Sequence, residues 1–266
     1  MDFAKHAIVK PGSKLRLKDR DPDETFGMKR DDKALTKTLD RLRELQHLLY
    51  ADKRYALLIV LQALDAGGKD GTIRHVMSGV NPQGCEVFSF KAPSVAERAH
   101  DYLWRIHKAV PHLGNIGIFN RSHYEDVLIA RVHRLVPKEM WVKRYRQIND
   151  FEQMLTENGV TILKFFLHIS KDEQKRRFQQ RIEDPARNWK LSLPDFEERQ
   201  HWSAYTEAYE EALRKCSTKL APWYVVPANK KWFRNHLVAS LVVHALDDMK
   251  LKYPAPTVDI SKVVLE

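Results

Sequence analysis

The sequence has little cysteine: Cys85 and Cys216 are the only two in 266 residues. That is too few for a disulfide framework, and no zinc-ligand spacing accompanies them, so reduced thiols in a cytoplasmic protein are expected. Long apolar runs are absent too. No stretch approaches the ~18 to 20 residues of a membrane span, and the opening MDFAKHAIVKPGSKLRLKDR lacks the apolar segment of a secretory signal. Neither a membrane partner nor export is expected. Twelve histidines form no H-x-x-x-H pair, and Ser122 has no recognisable His/Asp arrangement, which sets hydrolase chemistry aside. Internal repeats and low-complexity tracts are missing as well. Six tryptophans read as packing residues, with Trp189 left open. Acidic residues are the scarcer charge: 35 Asp plus Glu face 45 Lys plus Arg, for a formal +10. Such an excess suits a polyanion, whether nucleic acid, anionic lipid or chain-like phosphate. A merely well-solvated basic surface explains it equally, so position must decide.

What is present has a clear rhythm. Residues 1–52 read as an N-terminal extension, polar and basic, ending in an amphipathic helix from about Asp32 to Tyr50 with Leu35, Leu39, Leu42, Leu45 and Leu49 at helical spacing. From Tyr55 onward, the runs YALLIVLQAL, CEVFSF, NIGIFN, TILKFFLHI and PWYVVPA have strand length and composition. Helical patterns lie between and after them, over 69–79, 94–110, 122–135, 138–158, 171–183, 195–217 and 231–249. Near-continuous apolar strands separated by helices predict a parallel sheet covered on both faces, in one α/β domain spanning 1–266. Sheets of this kind bind ligands at the carboxyl ends of their strands.

At one such end stands ALDAGGKDGT, residues 63–72. Successive backbone N–H groups and a helix N-terminus can point at one anion there, while Lys69 adds a mobile positive charge. Gly67, Gly68 and Gly71 let the backbone come close, and a helix from about Thr72 supplies its dipole. The usual spacing is G-x-x-x-x-G-K-[ST]; here Ala63 replaces the first glycine and Asp70 the metal-holding hydroxyl. Asp65 is a replacement metal ligand, since a carboxylate is a hard oxygen donor for Mg²⁺. The alternative is a glycine-rich turn with a chance lysine, but the loop follows a buried strand and opens a helix, as phosphate binding needs.

Two further segments converge on that sheet edge. In IGIFNRSHYEDV, Asn120 stands where phosphate-transferring proteins often carry an acid for the metal, and Arg121 could fork onto phosphate oxygens. The alternative is an ion pair between Arg121 and a carboxylate such as Asp126. In KDEQKRRFQQRIEDPARNWKLSLPD, Arg177 and Arg181 share a helix face, and residues 182–196, with Arg187 and Lys190, form either a closing lid or a solvated helix with a long loop.

Taken together and in this order, LDAGGKDGTI, IFNRSHYEDV and DPARNWKLSLPD resemble polyphosphate kinase family 2. APSVAERAHDYLWRIHKAVPHLGNIGIFNRS and YVVPANKKWFR extend the likeness from about Lys10 to Asp248. The resemblance implies a P-loop kinase-like three-layer αβα sandwich, with a central parallel five-stranded sheet and a helical lid. It implies Mg²⁺-dependent, reversible transfer of a phosphoryl group between inorganic polyphosphate and a nucleotide, with AMP, ADP and ATP as partners and no nucleic acid. The KPGSKLRL beginning resembles the subgroup that phosphorylates both AMP and ADP, and family likeness points to a homo-oligomer, dimer or tetramer. Carried over by position, Asp65, Lys69, Arg121 and Arg181 are the catalytic set. Gly67, Gly68, Asp70, Gly71, Thr72, Arg74, Arg187 and Lys190 are the phosphate-binding residues. Asn120, Glu125 and Arg131 attend the nucleotide. Many relatives have aspartate at the position of Asn120, so the metal falls to Asp65, with Asp126 as a further ligand. The N-terminal basic stretch and Arg74 are expected to line a track for the donor chain. Two rivals stay open: an ATP-dependent nucleoside monophosphate kinase and a basic nucleic-acid-binding protein.

Overall fold

The strand ALLIVLQ, Ala56–Gln62 (β1), is buried at all seven positions. Full burial of a strand requires cover on both faces, and its odd and even residues enter two different cores. Leu57, Ile59 and Leu61 meet one set of helices, while Leu58 and Val60 meet another. The structure, a computed structural model, describes residues 3–263; the outermost residues of the expected 1–266 span lie outside them.

The strands after β1 are Cys85–Ser89 (β2), Ile116–Asn120 (β3), Val160–His168 (β4) and Trp223–Pro227 (β5). All neighbours pair in parallel, in the order β2-β3-β1-β4-β5. The helices in chain order are α1 (Phe3–Ala7), α2 (Asp32–Asp52), α3 (Lys69–Val76), α4 (Val95–Arg98), α5 (Trp104–His107), α6 (Ile129–Val132), α7 (Lys138–Glu157), α8 (Lys171–Glu183), α9 (Leu193–Glu198), α10 (Trp202–Lys215) and α11 (Lys231–Asp248). On one face α2 and α11 cover the sheet with Leu42, Leu45, Leu49, Leu237 and Val242. On the other, α7 and α10 bring Tyr145, Ile148, Tyr209 and Leu213. The result is the three-layer α/β sandwich expected from the sequence.

Several helical stretches are shorter than their periodicity predicts. The 94–110 pattern splits into α4, closed at its start by a Ser94–Glu97 capping box, and α5, with Asp101 between them accepting from the Leu103 N–H at 2.9 Å. The 122–135 pattern becomes a 3₁₀ turn over His123–Asp126 followed by α6, because Ser122 Oγ accepts from the Tyr124 N–H at 3.2 Å and starts a tight turn instead of an α-helix. The 195–217 pattern divides at a 3₁₀ turn, Arg199–His201. Conversely, α3 begins at Lys69, three residues before Thr72.

Candidate active site

The phosphate loop is made by a chain that leaves β1 and turns sharply into α3. The Gly67 N–H bonds back to the Leu64 carbonyl at 2.9 Å, and a Cβ on Gly67 would lie 2.7 Å from that same oxygen. Gly68 is the N-cap of α3 at φ +104°, a left-handed conformation that favours glycine, and it offers no side-chain cap. The first N–H groups of α3 therefore keep their capacity for an outside acceptor. Lys69 is only 9% exposed, and its Nζ donates to the Ala63 carbonyl at 3.1 Å. Burial lowers its pKa, and Arg121 pushes the same way against the carboxylates of Asp65, Glu125 and Asp70.

Opposite the loop, β3 delivers Asn120 and Arg121. Asn120 Nδ2 donates to Asp70 Oδ1 at 2.9 Å. Arg121 lies at φ +62°, a left-handed backbone unusual for a side chain of this size, and its guanidinium donates to Asp65 Oδ1 at 3.1 Å. Its pairing partner is thus a site carboxylate and not Asp126. Burial acts to lower the Arg121 pKa, but Glu125 and Asp65 outweigh it and raise it. Glu125 has the reverse balance: burial raises its pKa despite Arg121 and Lys69.

A buried polar network holds this wall in place. Lys164 of β4 donates to Glu152 Oε2 at 2.5 Å, to Tyr124 Oη at 2.9 Å and to the Cys216 carbonyl at 2.6 Å. Tyr124 Oη in turn donates to Glu152 Oε1 at 2.8 Å, with His123 Nε2 at 3.2 Å from the same oxygen. His123 and Tyr124 are fully buried, so the turn carrying Arg121 and Glu125 is bolted to the sheet from below.

The facing wall comes from the segment after α8. Arg181, Trp189, Lys190 and Asp195 reach a cavity of about 470 Å³ whose floor is Asp65 to Gly71 and whose side is Asn120 and Arg121. Arg181 stands 3.9 Å from Asp195, and Lys190 lies over the Trp189 ring, 5.1 Å from its centroid. An adjoining hollow of about 240 Å³ shares Asp65, Arg121 and Asp195 and adds Glu125, Tyr205 and Tyr209.

Not every expected residue arrives. Asp126 accepts from Arg144 at 3.1 Å, and Arg131 pairs with Glu211 at 2.6 Å beneath the Trp141 ring; neither lines the cavity. Arg187 pairs with Asp184 at 2.9 Å, and Arg74 is an exposed residue in the last turn of α3. Thr72 lies buried under the loop, its hydroxyl donating to the Gly68 carbonyl at 3.0 Å. The N-terminal segment from Leu17 to Pro22 lines a separate hollow of about 550 Å³ against Phe166, His168 and Trp202, and its cations are mixed there with Asp19 and Asp21.

Other residues enter that sequence reasoning did not place. Arg177, grouped with Arg181 by helical spacing, is instead a strut under the loop: it donates to the carbonyls of Ala66 at 2.9 Å, Gly67 at 3.0 Å and Ala228 at 2.5 Å. Gln174 donates to the Asp65 carbonyl at 2.9 Å. Ser89, Phe90 and Lys91, at the end of β2, close one side of the cavity. Their only signal in the sequence was their place at a strand's carboxyl end.

Residues 26–254 match the family model for polyphosphate kinase 2. The AMP/ADP-polyphosphate phosphotransferase of Meiothermus ruber is 52% identical over 97% of this chain and 98% of its own length. The ADP-polyphosphate phosphotransferase of Rhodopseudomonas palustris is 50% identical over 86% of this chain and 83% of its own. The crystal structure of polyphosphate kinase 2 from Arthrobacter aurescens TC1 superposes with a TM-score of 0.93 at 44% identity, covering 97% of this chain and 93% of that one.

Proposed function

The chain belongs to the polyphosphate kinase 2 family, and from that premise we propose that it transfers phosphoryl groups between inorganic polyphosphate and AMP or ADP at the cavity above the phosphate loop. The observation that carries this reading is the ring of cations, Lys69, Arg121, Arg181 and Lys190, around one cavity at the rim of a parallel sheet. Two polyanions must meet there, and their repulsion is the main barrier to contact. The acceptor is itself a phosphate, whose second pKa is ~6, so its oxygen is already ionised at neutral pH. No general base is required. Lys69 and the α3 amides would hold one phosphoryl group, Arg121 would steady its equatorial oxygens, and Arg181 and Lys190 would close from the lid to align attack and exclude water.

A divalent cation fits this donor set. Mg²⁺ at phosphates commonly takes one or two carboxylates and fills its remaining positions with phosphate oxygens and water. Asp65 lines the cavity beside Lys69, so it is the residue that would hold the ion, whose charge would offset that of the phosphates. Asp126, turned toward Arg144, is a poor second ligand. Asn120 and Glu125 border the cavity and its adjoining hollow and would face the nucleotide. Both cysteines are free thiols, in keeping with a cytoplasmic protein, and we carry a homo-oligomeric assembly as part of the same reading.

The deciding experiment supplies AMP, polyphosphate and Mg²⁺ without ATP and separates the nucleotides formed. Appearance of ADP and then ATP supports the proposal. A protein that leaves AMP unchanged under these conditions, yet phosphorylates it from ATP, would be an ordinary nucleotide kinase.

A further inference from the structure

Against the phosphate loop, α11 carries a charge that no carboxylate answers among the described residues. Arg234 is 3% exposed. Its Nε and Nη2 both donate to the neutral side chain of Asn235, at 3.1 and 2.8 Å. Its Nη1 donates to no acceptor among the described residues, and no carboxylate pairs with it there. The guanidinium abuts the loop itself: a Cβ on Gly68 would collide with Nη1, and one on Gly71 would lie 3.6 Å from Nη2. Arg177, its charged neighbour, is another cation, already committed to Glu173 at 2.7 Å.

A buried charge without a partner is costly, and folds normally pair it or replace it. Burial and Arg177 lower the Arg234 pKa to about 10, which still leaves it protonated at neutral pH. The cost is therefore present in the free protein. The start of α3 on the same glycine turn has no side-chain cap, and Gly68 and Gly71 line the cavity. An anion held at that turn would be close to the Arg234 guanidinium, which abuts Gly68 and Gly71.

We propose that Arg234 is a positioning residue for the donor, a buried cation whose missing counter-ion is the phosphate held at the loop. It rests on the reading above that this loop binds polyphosphate. Lys231, one turn earlier on α11, extends the same field outward: it is exposed, has no ion-pair partner among the described residues, and its strongest electrostatic neighbours are Arg177, Arg176, Arg234 and Arg187. The arrangement spends stability of the free protein on affinity for the anion. A purely structural arginine would do the opposite.

The test compares wild type with Arg234→Met, Arg234→Lys and Lys231→Gln, using tripolyphosphate as the probe. Melting temperature is read with and without the probe at low and high salt, and KM is measured separately for donor and nucleotide. Arg234→Met alone should melt at or above wild type, lose most of the probe-induced rise, and show a donor KM higher by on the order of tenfold with nucleotide KM unchanged. Arg234→Lys should recover the probe-induced rise, and Lys231→Gln should raise donor KM less and weaken its salt dependence. A wild-type response to tripolyphosphate that survives intact in Arg234→Met, or an Arg234→Met protein that melts lower with donor KM unchanged, overturns this inference alone. If Arg234→Met does not fold, an unchanged donor KM and salt dependence in Lys231→Gln overturns it. A wild-type protein indifferent to tripolyphosphate sinks the functional reading and this inference together.

Discussion

The two walls of the cavity are built on different principles. The inner wall, from Asp65 to Gly71 with Asn120 and Arg121, stands on strand ends, and buried hydrogen bonds of Arg177, Gln174 and the Lys164–Glu152 network hold it from behind. The outer wall, from Arg181 to Asp195, has almost no core beneath it: Trp189 is 76% exposed and Leu193 79%. Elements with few buried apolar contacts open at low free energy, whereas groups that stabilise charge in a transition state need fixed positions. On these grounds we propose that the inner wall serves the chemistry and the outer wall capture and closure. Mutations on the two sides should therefore fail in different ways.

The largest effect tests what makes the inner wall rigid. Lys164→Met removes the cation from a carboxylate that is 1% exposed. Burial acts to raise the Glu152 pKa, and Lys164 and His123 outweigh it to hold it below the ordinary value. Breaking a buried pair by removing one partner costs about 3–5 kcal/mol, so urea unfolding should show a loss of that size, with turnover falling as the Arg121 turn loosens. A variant as stable as wild type would mean that the wall stands without its network. Next, Lys69→Ala should lower turnover by about 10² to 10³-fold, the usual consequence of deleting one preorganised donor. Its melting temperature should hold or rise, because a desolvated ammonium group is removed. Comparable turnover in this variant would take the inner wall out of the chemistry.

The division between the walls also explains which parts were legible in the sequence. β1 and β4 were readable because strands buried on both faces need continuous apolar residues, and the loop because close approach to an anion needs glycine and lysine at fixed offsets. The Lys164 network was not. A lysine inside TILKFFLHI gives no sign that its partners, Glu152, Tyr124 and Cys216, lie on other elements. Arg177 and Arg181 look equivalent at four-residue spacing, yet one props the loop and the other faces the cavity. Tertiary packing, which local pattern does not encode, separates them. Asp126 and Arg131, which the family resemblance gives to the site, are paired instead with Arg144 and Glu211 beyond the tight turn begun at Ser122.

On the outer wall a smaller change is expected. Arg181→Gln should raise the KM for polyphosphate on the order of tenfold, leaving the chemical step of bound substrate less affected than Lys69→Ala does. Single-turnover rates at saturating donor separate the two. If turnover in Arg181→Gln collapses as it does in Lys69→Ala, Arg181 belongs with the fixed chemistry, and the contrast between the walls is wrong.

The smallest effect sharpens the comparison within the inner wall, where two glutamates have pKa values moved in opposite directions. Glu152, held low by Lys164, contributes stability that is present above its unfolded value near 4.5 and is lost as pH falls through its lower folded value. Glu125 has its folded value raised, foremost by burial. Its contribution is therefore present below about 4.5 and is lost as pH rises through the folded value. Glu125→Gln removes that ionisation while keeping shape and polarity. Melting curves across pH should show the variant matching wild type in acid and overtaking it as pH rises toward neutrality. That would mean the enzyme keeps a destabilising carboxylate beside Arg121 and Lys69, as a residue held for substrate would be. Should wild type instead gain on the variant with rising pH, the paired cations have overcome burial, and Glu125 is part of the wall's support.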